Sequence, residues 1–274
     1  ASRQHRLARE LLVLVSGLER IALVRYREGV APQADAVRAQ LEKTRLESEL
    51  IRLETERHHA QARLNALLAR PADAALAEPE RLRSLPGQDR LAPAALAERL
   101  AGNSPDLQTA AAQVRGQERQ RDLAYRERYP DLSLGVSPMQ SGDRISGWEL
   151  MLEVNIPLQQ DRRRQREREA EQRLEAARAR QQAELFRLRG ALEESRVALA
   201  GLEQSRVLIE DSLLPQAKLA WQSALAAYET GGGGFAATLE TLQALSRIRM
   251  DLIGNLAEQQ MRLAEIERLL GDEL

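Results

Sequence analysis

Apolar positions from about residue 7 to residue 27 fall on one helical face: Leu11, Leu12, Leu14, Val15, Leu18, Ile21, Ala22 and Val24 recur at helical spacing. Gly29 and Pro32 stop that pattern, the glycine by its backbone freedom and the proline by suiting the first turn of a following helix. A second helical stretch, residues 33–69, carries Ala39, Leu46, Leu50, Leu53 and Leu64. At roughly 55 Å it would be too long to bury itself in a globule of this size. Pro71, Pro79, Pro86 and Gly87 then predict a loop-rich segment over residues 70–95, with a short helix at about 93–101. Asn103-Ser104-Pro105-Asp106 reads as a helix start, with Ser104 as cap, Pro105 in first position and Asp106 in the first turn; this helix should reach about residue 128. The period next switches from about 3.6 residues to about 2. Leu132, Leu134 and Val136 alternate with Asp131, Ser133, Gly135 and Ser137. After a turn at Ser141-Gly142-Asp143, Trp148, Leu150, Leu152, Val154, Ile156 and Leu158 share one face, and Glu149, Met151, Glu153 and Asn155 the other. Two strands joined by a turn form a hairpin. After Pro157 the longest helical pattern spans about 161–230, on the order of 100 Å if continuous, with Pro215 expected to kink or break it. Gly231–Gly234 end it, and a last helix spans about 236–270 before Gly271.

The chain also repeats itself at an offset of 202 residues: Tyr26-Arg27-Glu28-Gly29 falls on Tyr228-Glu229-Thr230-Gly231, and Leu64, Leu67 and Leu68 fall on Ile266, Leu269 and Leu270 without a gap. The repeating unit is a helical hairpin. Residues 1–70 are then a first-repeat hairpin with its tip turn at 26–33, 71–103 a loop-rich segment, 104–128 a helix, 129–158 the strand hairpin, and 159–271 the second long helix, its tip turn at 229–235 and the return helix.

Composition narrows the fold further. Aromatics make up 3% of the 274 residues, too few for a thick globular core, so long helices meeting through narrow seams are expected. With 40 Lys and Arg against 41 Asp and Glu, no net field argues for nucleic acid. Cysteine is absent, which removes disulfides and thiolate chemistry. No run approaches the ~20 apolar residues of a membrane-spanning helix. No signal peptide opens the sequence, and Ala1 leads directly into helical sequence, as expected of a fragment.

The order of elements, together with Asn103-x-Pro105-Asp106-Leu107, Tyr129-Pro130-Asp131-Leu132-Ser133-Leu134, Trp148-x-Leu150-x-Leu152-x-Val154-x-Ile156-Pro157-Leu158 and the paired Tyr-x-x-Gly turns, resembles the TolC family of outer-membrane efflux ducts. The resemblance implies a mainly α fold: long antiparallel helical hairpins of the α-helical barrel or tunnel type, with one β-hairpin contributing to a membrane β-barrel. It also implies an internal two-fold repeat whose first copy is incomplete, since the first pair of strands should precede the helix near residue 1. By the same resemblance the protein is a homotrimer in the outer membrane and periplasm of a Gram-negative bacterium. It works with a periplasmic adaptor (a membrane fusion protein) and an inner-membrane pump, and its barrel faces outer-membrane lipid. Its function would be the passive conduit of a tripartite efflux system, opened at its periplasmic tip by the adaptor. The stretch from Pro157-Leu158 into the arginines, with the compact outer loop, resembles the heavy-metal and cation efflux branch more than the multidrug branch. The alternatives are a soluble coiled-coil scaffold or adaptor with its hairpin packed on helices, and a duct for type I protein secretion.

The family's functional positions carry over to the two tips and the strands. Tyr26, Arg27, Gly29, Tyr228, Gly231 and Gly232 fall at the adaptor-contacting tips, and Asp35 and Glu240 at the pore entrance. Ala237 stands where the repeat would place a second carboxylate. Leu132, Leu134, Val136, Trp148, Leu150, Leu152, Val154 and Ile156 form the barrel's lipid face, opposite a watery face of Asp131, Ser133, Glu149, Glu153 and Asn155.

Other features point away from chemistry. Gly231–Gly234 lacks the Gly-Lys-Ser/Thr of a phosphate loop. His58 and His59 point about 100° apart on a helix and cannot share a metal unaided. Arg162, Arg163, Arg164, Arg166 and Arg168 lie near anionic headgroups in the duct reading, or otherwise form a solvated helix start paired with Glu167 and Glu169. No catalytic constellation, cofactor motif or metal-ligand set stands out, so an enzyme is not expected.

Overall fold

Residues 2–77, 81–141, 143–155 and 160–274 are described in a computed structural model. Among these residues seven helices and one strand hairpin follow one another: α1 (Ser2–Arg27), α2 (Gln33–Leu67), α3 (Pro93–Asn103), α4 (Pro105–Arg126), β1 (Asp131–Ser141), β2 (Arg144–Asn155), α5 (Gln160–Leu208), a π-helical turn (Ile209–Leu213), α6 (Leu214–Glu229) and α7 (Phe235–Leu270). The chain divides into two compact units, Ala1–Leu85 with Ser195–Ala264, and Pro86–Glu194 with Glu265–Leu274.

In the first unit the core is a seam. Leu7, Leu11, Val15, Leu18 and Ala22 of α1 meet Ala36 and Ala39 of α2, Trp221 and Tyr228 of α6, and Phe235, Leu242 and Leu245 of α7. The buried positions of α7 form two runs, Phe235, Thr238, Leu242 and Leu245, and then Gln259, Leu263, Ile266 and Leu270 with Leu269 beside it, each run stepping by threes and fours. That 3.5-residue period is the coiled-coil one, and it holds each run on one narrow face of the helix. Polar ties flank the stripe: Lys43 to Glu19 at 2.9 Å, Gln243 to Glu42 at 2.9 Å and Arg249 to Glu10 at 2.8 Å.

In the second unit Leu96 and Leu100 of α3 are buried together with Ile266, Leu269 and Leu270 at the end of α7. Ser104 occupies the predicted cap position, but its hydroxyl caps nothing; its Oγ is buried without a hydrogen-bond partner. The helix start rests instead on Pro105 in the first turn and on the Ser104 carbonyl, which accepts the Gln108 N–H at 3.0 Å. Between α4 and α5 the apolar contact is thin, Val114 against Leu174 and Ala177. Charge pairs carry the rest: Arg178 to Glu118 at 3.2 Å, Arg128 to Glu167 at 3.0 Å and Arg166 to Glu127 at 3.3 Å.

The expected break at Pro215 is a widening of the helix upstream of it. Proline has no N–H to return to the preceding turn, and the Ile209–Leu213 π turn absorbs the mismatch while α5 and α6 continue on either side. The strands pair antiparallel with Leu132 opposite Val154, Leu134 opposite Leu152, Val136 opposite Leu150 and Pro138 opposite Trp148. Ile156, Pro157 and Leu158 lie outside the described residues.

Candidate functional site

The two tip turns are one structure built twice. α1 ends at Arg27 and α6 at Glu229, while α2 begins at Gln33 and α7 at Phe235, each pair 202 residues apart. Four backbone hydrogen bonds recur at the same offset. Glu28 donates to the Val24 carbonyl as Thr230 does to Ala226, and Gly29 to Tyr26 as Gly231 does to Tyr228; Val30 and Ala31 both donate to Arg25 as Gly232 and Gly233 both donate to Ala227. Gly29 and Gly231 take φ of 75° and 85°, the left-handed conformation that closes each turn and that glycine adopts without strain. The repeat continues to the far helix ends. Ala69 and Gly271 have φ of 53° and 74°, and Arg70 donates to the Asn65 carbonyl as Asp272 does to Glu267. The Asn65 side-chain amide donates to the Ala72 carbonyl at 3.1 Å, and at the matching positions the Glu267 carboxylate accepts the Leu274 N–H at 2.7 Å.

The side chains on these matched backbones do different work. Tyr26 is 44% exposed and Tyr228 only 2%. Arg25, the residue just before Tyr26, explains the difference. Its Nη1 donates to the Tyr228 carbonyl at 2.7 Å and to the Glu229 carbonyl at 3.4 Å, capping the last turn of α6 with positive charge where the helix dipole is negative. Its guanidinium lies 4.9 Å from the centre of the Tyr228 ring. Phe235, the first residue of α7, meets that ring edge-on with centroids 5.5 Å apart. Burial pushes the Tyr228 phenol above its ordinary pKa; the Asp35 carboxylate adds to the rise and Arg25 opposes it.

Of the expected tip residues, the structure thus gathers Tyr228, Asp35 and Gly231 around Arg25, with the Gly231 backbone closing directly beside the Arg25 guanidinium. Asp35 is buried, whereas Tyr26, Arg27, Gly29, Gly232 and Glu240 are exposed. Arg25 and Phe235 were not singled out from the sequence. The contact joins positions 203 residues apart, and the only local signal is a cation in the last turn of a helix. Beyond the turns, an open groove with a floor of Leu11, Val15, Leu46 and Leu242 runs beside α2 and α7, rimmed by Glu42, Arg45 and Arg247.

The strand hairpin is the second candidate. Cross-strand neighbours share a face, so the register puts Leu132, Leu134, Val136, Trp148, Leu150, Leu152 and Val154 together on one side. All seven are 48–71% exposed. Asp131 opposite Asn155, Ser133 opposite Glu153 and Ser137 opposite Glu149 form the other side, where Met151 sits opposite Gly135. Among the described residues the two strands form the whole sheet, and neither outer edge is paired.

His58 does not pair with His59. Its Nε2 lies 3.2 Å from Glu54, which also takes Arg57 at 2.6 Å and His5 of α1 at 3.3 Å.

The sequence profile of outer membrane efflux proteins matches residues 96–272. No curated protein matches the chain. Among solved structures, the outer membrane protein VceC from Vibrio cholerae superposes with a TM-score of 0.83 at 17% identity, over 98% of this chain and 66% of its own. A membrane protein from Pseudomonas aeruginosa gives 0.81 at 20% identity, over 99% of this chain and 62% of its own. CusC, described by its transmembrane channel formation, gives 0.85 at 17% identity, over 99% and 65%. The chain spans less than two thirds of the length of each of these three proteins.

Proposed function

The chain belongs to the outer membrane efflux protein family, and from that premise we propose that it is the helical and second-hairpin portion of a trimeric outer-membrane channel, the passive conduit of a tripartite efflux pump. The observation that carries this reading is the uncovered apolar face of the strand hairpin, Leu132 to Val154, with both sheet edges open. A soluble scaffold would bury that face, at about 1.5–3 kcal/mol for each large apolar side chain covered. Hairpins from the repeat and from neighbouring copies close the edges into a barrel, and the long heptad helices continue it as a periplasmic tunnel.

The tips are the docking end. Tyr26, Arg27, Gly29, Gly231 and Gly232 offer an adaptor hairpin exposed aromatic, cationic and flat backbone surface. Glu240 contributes an exposed carboxylate to the entrance, Asp35 and Tyr228 supply its buried support, and Arg25 fixes Tyr228 in place. Energy and choice of cargo come from the inner-membrane pump. Metal cations are the first cargo to test, on the resemblance of the stretch after the second strand. Light scattering of the full-length gene product in membrane and soluble fractions tests the reading. A detergent-dependent trimer that conducts ions in a planar bilayer is expected; a soluble monomer or dimer would overturn it.

A further inference from the structure

The base of the strand hairpin is unusually rich in arginine, and those arginines are not equivalent. Five lie in the first nine residues of α5, at positions 162, 163, 164, 166 and 168. Two are spent on neighbours. Arg166 pairs with Glu127 of α4 at 3.3 Å, and Arg163 reaches Glu167 at 4.0 Å, Gln160 at 2.6 Å and the Arg128 carbonyl at 3.5 Å. The other three are exposed with no carboxylate within 4.0 Å among the described residues, and of these Arg164 and Arg168 form a pair. They stand four residues apart, so their side chains leave the same face of the helix about one turn from each other. Asp161, the one acid of the first turn, forms no ion pair with Arg164 among the described residues.

This placement works against the helix itself. Cations in the first turns face the positive end of the helix dipole, and like charges one turn apart repel; both effects weaken α5. An external anion removes both. The neighbourhood says which anion. Asn155 ends β2 five residues before α5 begins, and Tyr129, an exposed aromatic, stands just before β1. Where an apolar strand face of barrel length gives way to an aromatic and then to arginine, the zone is that of lipid headgroups. The forked guanidinium suits phosphate oxygens.

We infer that Arg164 and Arg168 form a phosphate-binding pair for anionic phospholipid headgroups at the periplasmic rim of the membrane, an inference that rests on the channel reading above. The pair anchors the depth of the hairpin as charge–headgroup attraction anchors other interfacial elements.

The test uses the full-length protein reconstituted into vesicles of phosphatidylcholine with a minority of phosphatidylglycerol, and the relative association of a spin-labelled phosphatidylglycerol against its phosphatidylcholine counterpart. The wild type should prefer the anionic probe. Arg164→Gln and Arg168→Gln should each lower that preference about fivefold, and the double variant should abolish it. Arg166→Gln, which loses only its tie to Glu127, should retain it. Insertion is measured on the same samples. A double variant that inserts normally and keeps the preference overturns the phosphate pair alone, as does a wild type that inserts without any preference. A wild type that does not insert overturns the channel reading and the pair together. Preference that disappears with free phosphate at millimolar concentration in otherwise unchanged salt would assign the pair to a soluble anion and overturn the lipid assignment.

Discussion

Arg25 and Tyr228 tie the two halves of the internal repeat together: the guanidinium of one caps the carbonyl of the other at 2.7 Å and lies over its ring at 4.9 Å. The tips of the two hairpins are therefore one structural unit rather than two adjacent turns. The repeat supplies matched backbones, and at the tips an unmatched pair of side chains joins them, because the residue at the position equivalent to Arg25 is Ala227.

Arg25→Ala should loosen the second tip selectively. Losing the helix cap and the ring contact together costs about 1–2 kcal/mol. Amide hydrogen exchange should accelerate at Thr230, Gly231 and Gly232 and stay unchanged at Glu28 and Gly29. Arg25→Lys should recover only part of the protection, since an ammonium lacks the planar fork.

Tyr228 should make the tip alkali-sensitive. Its folded-state pKa is raised above the ordinary value near 10. The fold therefore holds this proton more tightly than the unfolded chain does. The resulting stability is fully present below pH 10 and is lost as pH climbs from there through the folded value. Ultraviolet titration of a variant retaining Tyr228 as its only tyrosine should show ionisation above that of the unfolded chain. Tyr228→Phe should flatten the alkaline loss of stability.

The two helix ends matched at Ala69 and Gly271 should respond in opposite ways. A Cβ on Gly271 would lie 2.6 Å from the Pro105 ring and 2.9 Å from the Asn103 carbonyl, at φ +74°. Gly271→Ala should cost about 2–3 kcal/mol in thermal or denaturant unfolding. Ala69→Gly removes a left-handed alanine and should leave stability unchanged or raise it by up to about 1 kcal/mol.

The same asymmetry marks the leucines. Leu269 is fully buried in the second unit, while Leu67, its repeat equivalent, is 79% exposed. Leu269→Ala should destabilise by about 2–5 kcal/mol and Leu67→Ala by less than about 0.5 kcal/mol.

Much of this architecture is written locally. The heptad stripes announce the helices, Gly29 and Gly231 the turns, and strict alternation from Leu132 to Val154 the strand faces that the register then aligns. What the sequence withholds is set by packing between distant segments. Ser104 has the chemistry of a cap, yet burial under the α3–α4 junction leaves its hydroxyl without a partner. Pro215 announces a disruption without its form, because a break, a kink and a π turn all satisfy the missing donor. Tyr26 and Tyr228 are the same letter in the same turn, and only the arrival of Arg25 and Phe235 from elsewhere separates an exposed tyrosine from a buried one.

The channel account stands on the environment of the two hairpin faces, and these 274 residues hold no cysteine to interfere with single ones placed there. Single cysteines at Leu134 and Leu152, and at Ser133 and Glu153, can be labelled with a fluorophore in full-length protein in outer-membrane vesicles and exposed to a lipid-phase quencher and to a water-soluble one. The account predicts that the first pair is quenched from the lipid and the second from the water. Equal quenching of both pairs from water, or protection of the leucine pair from both quenchers, would contradict it.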